Sequence, residues 1–415
     1  MNRKLHLTIA GIFLLAFSTV GLSQETDSIT MGGSYANDIF YSFENGEVKS
    51  EARANWDIAF NTTIFSSSII INEGSGAELW AYPNGDTTAW NNIDTAGLHT
   101  WPSLYNSEES WEEGAFNANA SGHPDYGWGI YNPITHNLTG DSLFIIKLLS
   151  GEYKKLWIVK KYSGLNIYVF RFGNLDNSAE VEKEYDLMPY MGKNFIYYSF
   201  ADDALIDREP AKETWDILWT KYVAVQPQGG VYPVTGILSN INVASNEFHP
   251  VPLDYTDWLA APLDSIKSGI GFDWKKINMT TFQYEIVDSM VFFVKDVNAN
   301  IFKLYFHSFE IGTGKTVFEK EVISVSDVDK NFAAAELEVF PNPASEVVNI
   351  RLQDTEGKSQ IRIYDITGKI MISQTINTTA GQSVTVNVDE LKQGLYLMII
   401  ETGNTKQSRK LMIRN

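Results

Sequence analysis

Apolar and polar positions along this chain fall into short runs rich in β-branched and aromatic residues, separated by turns that contain Gly or Asn. Asp141-Ser142-Leu143-Phe144-Ile145-Ile146-Lys147 is one such run, and Tyr153-Lys154-Lys155-Leu156-Trp157 follows it across a turn. Further on, Asp288-Ser289-Met290-Val291-Phe292-Phe293-Val294-Lys295 is followed by Ile301-Phe302-Lys303-Leu304-Tyr305. Near the C-terminus, Ile361 to Ile370 alternates apolar with polar and turns at Thr367-Gly368, and Asn45-Gly46 marks another tight hairpin. The pattern predicts an all-β, mainly antiparallel fold. At the N-terminus, Arg3 and Lys4 precede a mainly apolar run from Leu5 to Leu22, with small residues Gly21 and Ser23 before Gln24. That is the layout of a signal peptide over residues 1–23. No other segment is apolar enough to span a bilayer, so the mature chain carries no transmembrane segment.

The runs repeat. Phe40-Tyr41-Ser42-Phe43 precedes Trp56-Asp57-Ile58, and Tyr197-Tyr198-Ser199-Phe200 precedes Trp215-Asp216-Ile217 with two more residues between. The paired runs at 141–157 and 288–305 also correspond, with Leu156 answering Leu304. We read two related β modules, 24–185 and 186–325, then a linker at 326–336 and a small β domain at 337–415.

That last stretch carries four elements in order. These are Phe340-Pro341-Asn342-Pro343, Tyr364 to Lys369, the run from Leu391 through Gly394 to Ile400, and a basic close at Lys410. It resembles the type A C-terminal sorting domain of the type IX secretion system of Bacteroidetes. The resemblance implies an Ig-like β-sandwich that engages the secretion machinery and brings the chain to the outer-membrane surface of a Gram-negative bacterium or beyond it.

The two modules are similar to the HmuY-like family of haemophore-related proteins. The likeness rests on Tyr41 to Val48 followed by Trp56 to Phe60, on Trp128-Gly129-Ile130-Tyr131-Asn132, on Ser150 to Ile158, and on a strand ending Tyr168-Val169-Phe170. Trp215 to Trp219 and Asn298 to Phe306 are looser matches in the second module. The resemblance implies an all-β fold and haem held by a pair of side chains.

Composition narrows the partners. Hydrophobic residues make up 44% of the chain, which is ample for packed cores. Removing the leader takes away Arg3 and Lys4 and leaves 30 basic against 51 acidic groups, a net charge of −21. A surface this acidic repels phosphate backbones, so no nucleic acid is expected as a partner. With no cysteine there are no disulfides, iron–sulfur clusters, Cys-based zinc sites, c-type haem attachment or acylation of an N-terminal Cys.

Haem held without covalent links needs axial ligands, commonly His or Met, above an apolar pocket. His123 and His136 flank the aromatic Trp128–Tyr131 segment and form the candidate pair in the first module. His307 aligns with Val159, so the modules do not share that ligand. Trp56 and Trp215 read as buried strand-start residues whose neighbouring Asp accepts backbone hydrogen bonds. The Glu108–Glu113 run reads as a solvated charge cluster around Trp111. Gly312 to Thr316 lacks the earlier Gly and the helix of a phosphate-binding loop, and reads as a hairpin turn. No metal set and no catalytic motif specifies an enzyme. The function read from sequence is a secreted or surface-anchored ligand-binding protein with haem as the candidate cofactor. The alternative is a surface adhesion or structural protein that binds carbohydrate or protein without a cofactor.

Overall fold

The computed structural model describes residues 24–226, 229–324, 337–352, 357–365, 369–378, 383–402 and 405–414. The signal peptide and the linker at 326–336 lie outside these residues, as does Thr367-Gly368. Strands dominate throughout, as the alternating pattern predicts. The chain divides into two compact units, 1–325 and 326–415.

The larger unit contains two β-sandwiches. In the first, a four-stranded sheet runs in the order Ala204–Ile206, Phe195–Ser199, Ile58–Asn61 and Ile69–Ile71. It faces a larger sheet with Val181–Asp186, Ile167–Asn174, Tyr153–Tyr162, Phe144–Lys147, Glu78–Ala81 and Ser103–Leu104 in order. Ile58, Phe60, Ile196 and Tyr198 of one sheet share a core with Phe144, Leu156, Tyr168 and Phe170 of the other.

The second sandwich pairs a four-stranded sheet (Val231–Ser239, Ile217–Val225, Asn37–Ser42, Gly46–Ala52) with a five-stranded one. The five strands are Gln24–Ile29, Thr316–Ser324, Ile301–Phe309, Val291–Lys295 and Ala244–Phe248. Its core joins Ile39, Tyr41 and Trp219 to Phe292, Leu304, Phe306 and Phe318.

The matching stretches of sequence pair across the two sandwiches. Tyr198 lies opposite Ile58, and Tyr41 lies opposite Ile217. Asp57 N–H donates to Tyr198 O at 2.9 Å and Asp216 N–H to Tyr41 O at 2.8 Å. Each carboxylate completes the link: Asp57 accepts from Phe200 N–H at 2.8 Å and Asp216 from Phe43 N–H at 2.7 Å. Trp56 packs edge-on to Tyr197 and Trp215 edge-on to Phe40. Both indoles are buried, with the Asp beside each accepting backbone hydrogen bonds, as the sequence reading expects.

The outward faces of the two four-stranded sheets meet around Trp111, which packs against residues of both and donates its indole N–H to Ser239 O at 2.8 Å. Trp111 is therefore a structural anchor; Glu109, Glu112 and Glu113 beside it are exposed, while Glu108 is half-buried and accepts from Val225 N–H. Gly312 to Lys315 forms the turn between antiparallel strands Ile301–Phe309 and Thr316–Ser324.

In the smaller unit, a sheet of Leu337–Phe340, Val347–Leu352 and Ser383–Asn387 accompanies one of Ile370–Thr378, Gly357–Tyr364, Gly394–Thr402 and Thr405–Ile413. Val348, Ile361, Val386, Met398 and Leu411 form their common core.

Candidate functional site

The first sandwich carries an extra hairpin, Gly129–Tyr131 paired with Leu138–Gly140, on the strand Tyr153–Tyr162. Gly140 fits there because a Cβ would stand 1.7 Å from Ile158 O. Trp128 pins the hairpin's root: it is fully buried, and its indole N–H donates to Ser67 O at 2.9 Å. The hairpin turn is organised by Asn132, whose Oδ1 accepts from Ile134 and Thr135 N–H at 2.9 and 3.0 Å. His136 closes the turn at φ 57°, with its N–H donating to Asn132 O at 2.8 Å.

The segment before Trp128 is closed by Asp125. Its carboxylate accepts from Ser121 Oγ at 2.7 Å and Gly127 N–H at 2.8 Å, a side-chain-to-backbone turn of the kind Asp favours. Gly127 adopts φ 86° against the Phe116 carbonyl, where a Cβ would come within 2.9 Å. This closure turns His123 and Tyr126 toward the hairpin. Ring centroids lie 5.2 Å apart for His123 and Tyr131, 6.4 Å for Tyr126 and Tyr131, and 6.0 Å for Tyr131 and His136.

The structure thus brings the two sequence-predicted histidines to one cavity of about 370 Å³. Phe65, Tyr126, Tyr131, Leu138 and Ser163 are among the other residues of its wall, with Ile64, Ser66, Ser67 and Gly164. No Asp, Glu, Lys or Arg side chain lines it. Phe65, in the wall, is 91% exposed, and Ile134, on the hairpin tip, is 87% exposed. A second opening of about 560 Å³ shares Phe65, Ser67, His123 and Tyr126 and adds Glu112, Glu113 and Asp125. Beneath the floor, Lys161 Nζ donates to the carbonyls of Thr63 and Ser66; burial pushes its pKa down to about 7.

Each imidazole is held through one nitrogen. His136 Nδ1 lies 2.6 Å from the Tyr131 hydroxyl and His123 Nδ1 lies 3.4 Å from that of Tyr126. With the proton on Nδ1, the phenol accepts it and Nε2 presents a lone pair, the arrangement by which outer groups orient a metal-binding imidazole. Among the described residues no three or more His, Asp or Glu gather as a metal site. The donor set is therefore two imidazoles beside an apolar, aromatic wall. Sequence reasoning singled out the two histidines and did not single out Phe65, Tyr126 or Ser163; Phe65 and Ser163 come from separate loops and carry no local signal.

Comparison with known proteins adds one decisive match. Residues 338–414 match the secretion system C-terminal sorting domain. The sorting domain marks this chain for export by the type IX secretion system to the cell surface or outside, and for contact with that machinery. Among curated relatives, an endo-acting ulvan lyase of Formosa agariphila is 28% identical over 138 residues. That stretch covers 32% of this chain, and the chain spans about a quarter (25%) of the lyase. Among solved structures, dimeric latent PorU from Porphyromonas gingivalis matches with a TM-score of 0.16 at 10% identity, over 83% of this chain and 31% of that one. Among the described residues no helix is long and apolar enough to cross a membrane.

Proposed function

We propose that the exported chain is a surface ligand-binding protein of the HmuY-like kind, built from two copies of one β unit over 24–185 and 186–325, and that its first copy takes haem. The observation that carries this reading is the convergence of His123 and His136 on one aromatic cavity that no Asp, Glu, Lys or Arg lines, each with Nδ1 at a tyrosine hydroxyl. His123 and His136 would hold the group through Nε2, with Phe65, Leu138 and Tyr126 against its apolar faces. Bound haem would supply an iron centre whose spectrum reports its axial ligands. The protein's own part is to orient two imidazoles and cover an apolar face.

Haemin titration of the secreted chain tests the reading. A saturable, sharpened Soret band that is lost in the His123→Ala/His136→Ala double variant is expected. An unchanged titration in that variant, or a broad non-saturating spectrum in the parent, removes the assignment. The exposed Phe65 in the cavity wall and Ile134 on the hairpin tip favour a second reading, adhesion to carbohydrate or protein without a cofactor. Glycan and cell binding by colourless protein, weakened by Phe65→Ala, would establish it. The ulvan lyase relative is a reason to include polysaccharides in that screen.

A further inference from the structure

We infer that the outward face of the four-stranded sheet in the sorting domain is the surface that docks on the secretion machinery, through an apolar patch with basic flanks. Residues 338–414 are the part of the chain that the sorting-domain match covers, so a surface of this domain makes that contact.

The two sheets of the domain differ on their outward faces. Strand residues alternate between core and solvent, and the solvent face of an antiparallel sheet is ordinarily polar. The three-stranded sheet largely follows that rule. Val348, Ile350 and Val386 point into the core, which leaves Asn349, Ser383, Thr385 and Asn387 outward. The Thr385 hydroxyl donates to Asn349 Oδ1 at 2.8 Å, and the exposed Phe340 and Val347 stand at one end.

The four-stranded sheet breaks the rule. Ile361, Ile363, Met398, Ile400 and Leu411 fill the core, so Tyr364, Leu397, Ile399 and Met412 turn the other way. Strand register gathers them. Ile370 lies opposite Tyr364 and Tyr364 opposite Leu397, while Met412 is diagonal to Leu397 across the last pair of strands. Such diagonal neighbours are about 7–8 Å apart, within reach of long side chains. Ile370, Leu397 and Met412 are 49%, 41% and 44% exposed, and Tyr364 and Ile399 are half-buried. Apolar side chains gathered in one patch and left in water mark an interaction site.

Charge says what kind of partner fits. Over 338–414 nine basic groups stand against eight acidic ones, whereas the whole chain is at −19. Lys369 is exposed beside Ile370, and the register sets Lys410 opposite Leu397. Arg362, opposite Ile399, is answered by Glu401 at 2.9 Å. The occupant is therefore a component of the secretion machinery whose docking surface is apolar and edged by acidic groups.

The test is secretion of the full chain from a bacterium that carries the type IX machinery. Leu397→Asn/Met412→Asn should lower the secreted fraction about tenfold and hold the chain in the periplasm, as loss of central apolar contacts in an interface does. Val347→Asn, an equally exposed apolar-to-polar change on the three-stranded face, should leave secretion as it is. Melting of the purified double variant should match the parent, because exposed positions contribute little to folding. If it melts early, Leu397→Asn alone carries the test. A photo-crosslinking residue in place of Leu397 should give an adduct with a machinery component, and one in place of Thr385 should not. Normal secretion of the double variant would overturn the inference. So would adducts from position 397 that join two copies of the chain, or that join it to residues 24–325, since either would show a different occupant.

Discussion

Two hairpins, one on each sandwich, share a backbone and differ in nearly everything chemical. Trp128 to Gly140 in the first corresponds to Trp274 to Ile286 in the second. Both tryptophans are buried in their cores. Asn132 Oδ1 accepts from Ile134 and Thr135 N–H, just as Asn278 Oδ1 accepts from Thr280 and Thr281 N–H. His136 and Phe282 then close the two turns at φ 57° and 54°, each donating its N–H at 2.8 Å to the Asn carbonyl. The positive φ at His136 therefore belongs to the turn and is not strain reserved for a ligand. What changes is the side-chain set: Tyr131, His136 and Leu138 against Ile277, Phe282 and Tyr284. Gly129 gives way to Lys275, whose amine stacks over Trp274 at 4.2 Å. The frame is held by Trp and Asn, and the positions left free of the frame are where a binding site is written.

The most severe way to break the comparison is to separate the halves. Because Tyr198 pairs with Ile58 and Tyr41 with Ile217, neither 24–185 nor 186–325 holds a complete sandwich. Expressed apart, each fragment is expected to lack a cooperative melt and to bind a hydrophobic dye. Mixing them should restore one sharp transition. Two independently cooperative fragments would show that the cross-pairing is dispensable.

Next in size is the pin of each hairpin. Trp128→Ala and Trp274→Ala each leave a large cavity and should cost about 3–5 kcal/mol in chemical denaturation. Each loss also leaves a carbonyl without its indole donor, Ser67 O for Trp128 and Gly271 O for Trp274, so the two costs should be similar. A value under about 1 kcal/mol for either would mean that the hairpin is held elsewhere.

A smaller effect concerns two of the buried lysines, Lys161 and Lys275, one in each sandwich. Burial pushes both Lys161 and Lys275 down to about 7 from 10.5. A folded-state pKa below the unfolded one means that, between about pH 7 and 10.5, the unfolded chain binds the extra proton. Stability should therefore climb with pH across that window and stay penalised below it. Glu73, Glu209 and Asp216, raised by burial to about 7, 7 and 6, act below the window and leave its slope to the lysines. Lys161→Met removes the titration along with the donors to Thr63 and Ser66, so its cost should be larger at pH 10 than at pH 7. A cost independent of pH would mean that the amine is solvated.

These contrasts also mark what was legible in sequence. The sorting domain could be read because its four elements sit in fixed order along the chain. The pairing of Trp-Asp-Ile with an aromatic-Ser-Phe run could be seen as a recurrence. Its exchange between sandwiches could not, since strand partners are chosen by shape and burial and not by distance along the chain. His123 and His136 stood out by flanking an aromatic segment. Phe65 and Ser163 did not, because only the folded sheets carry their loops to the same place. Lys161 and Lys275 sit in polar-looking strand positions that read as surface, and nothing local says that carbonyls will meet them inside.

The smallest expected effect on stability is also the most informative about the site. Phe282 shows that this turn accepts a phenylalanine at the position His136 fills, at nearly the same φ and with the same backbone hydrogen bond. His136→Phe should then shift unfolding by no more than about 0.5 kcal/mol, as expected of an exposed substitution that spares the backbone. Under the proposed haem reading, binding should fall sharply in the same variant. A variant that binds as before, with stability unchanged, would show that the difference between the two hairpins lies outside ligand recognition. Loss of binding at constant stability would tie function to the one turn position where the two frames agree and the side chains do not.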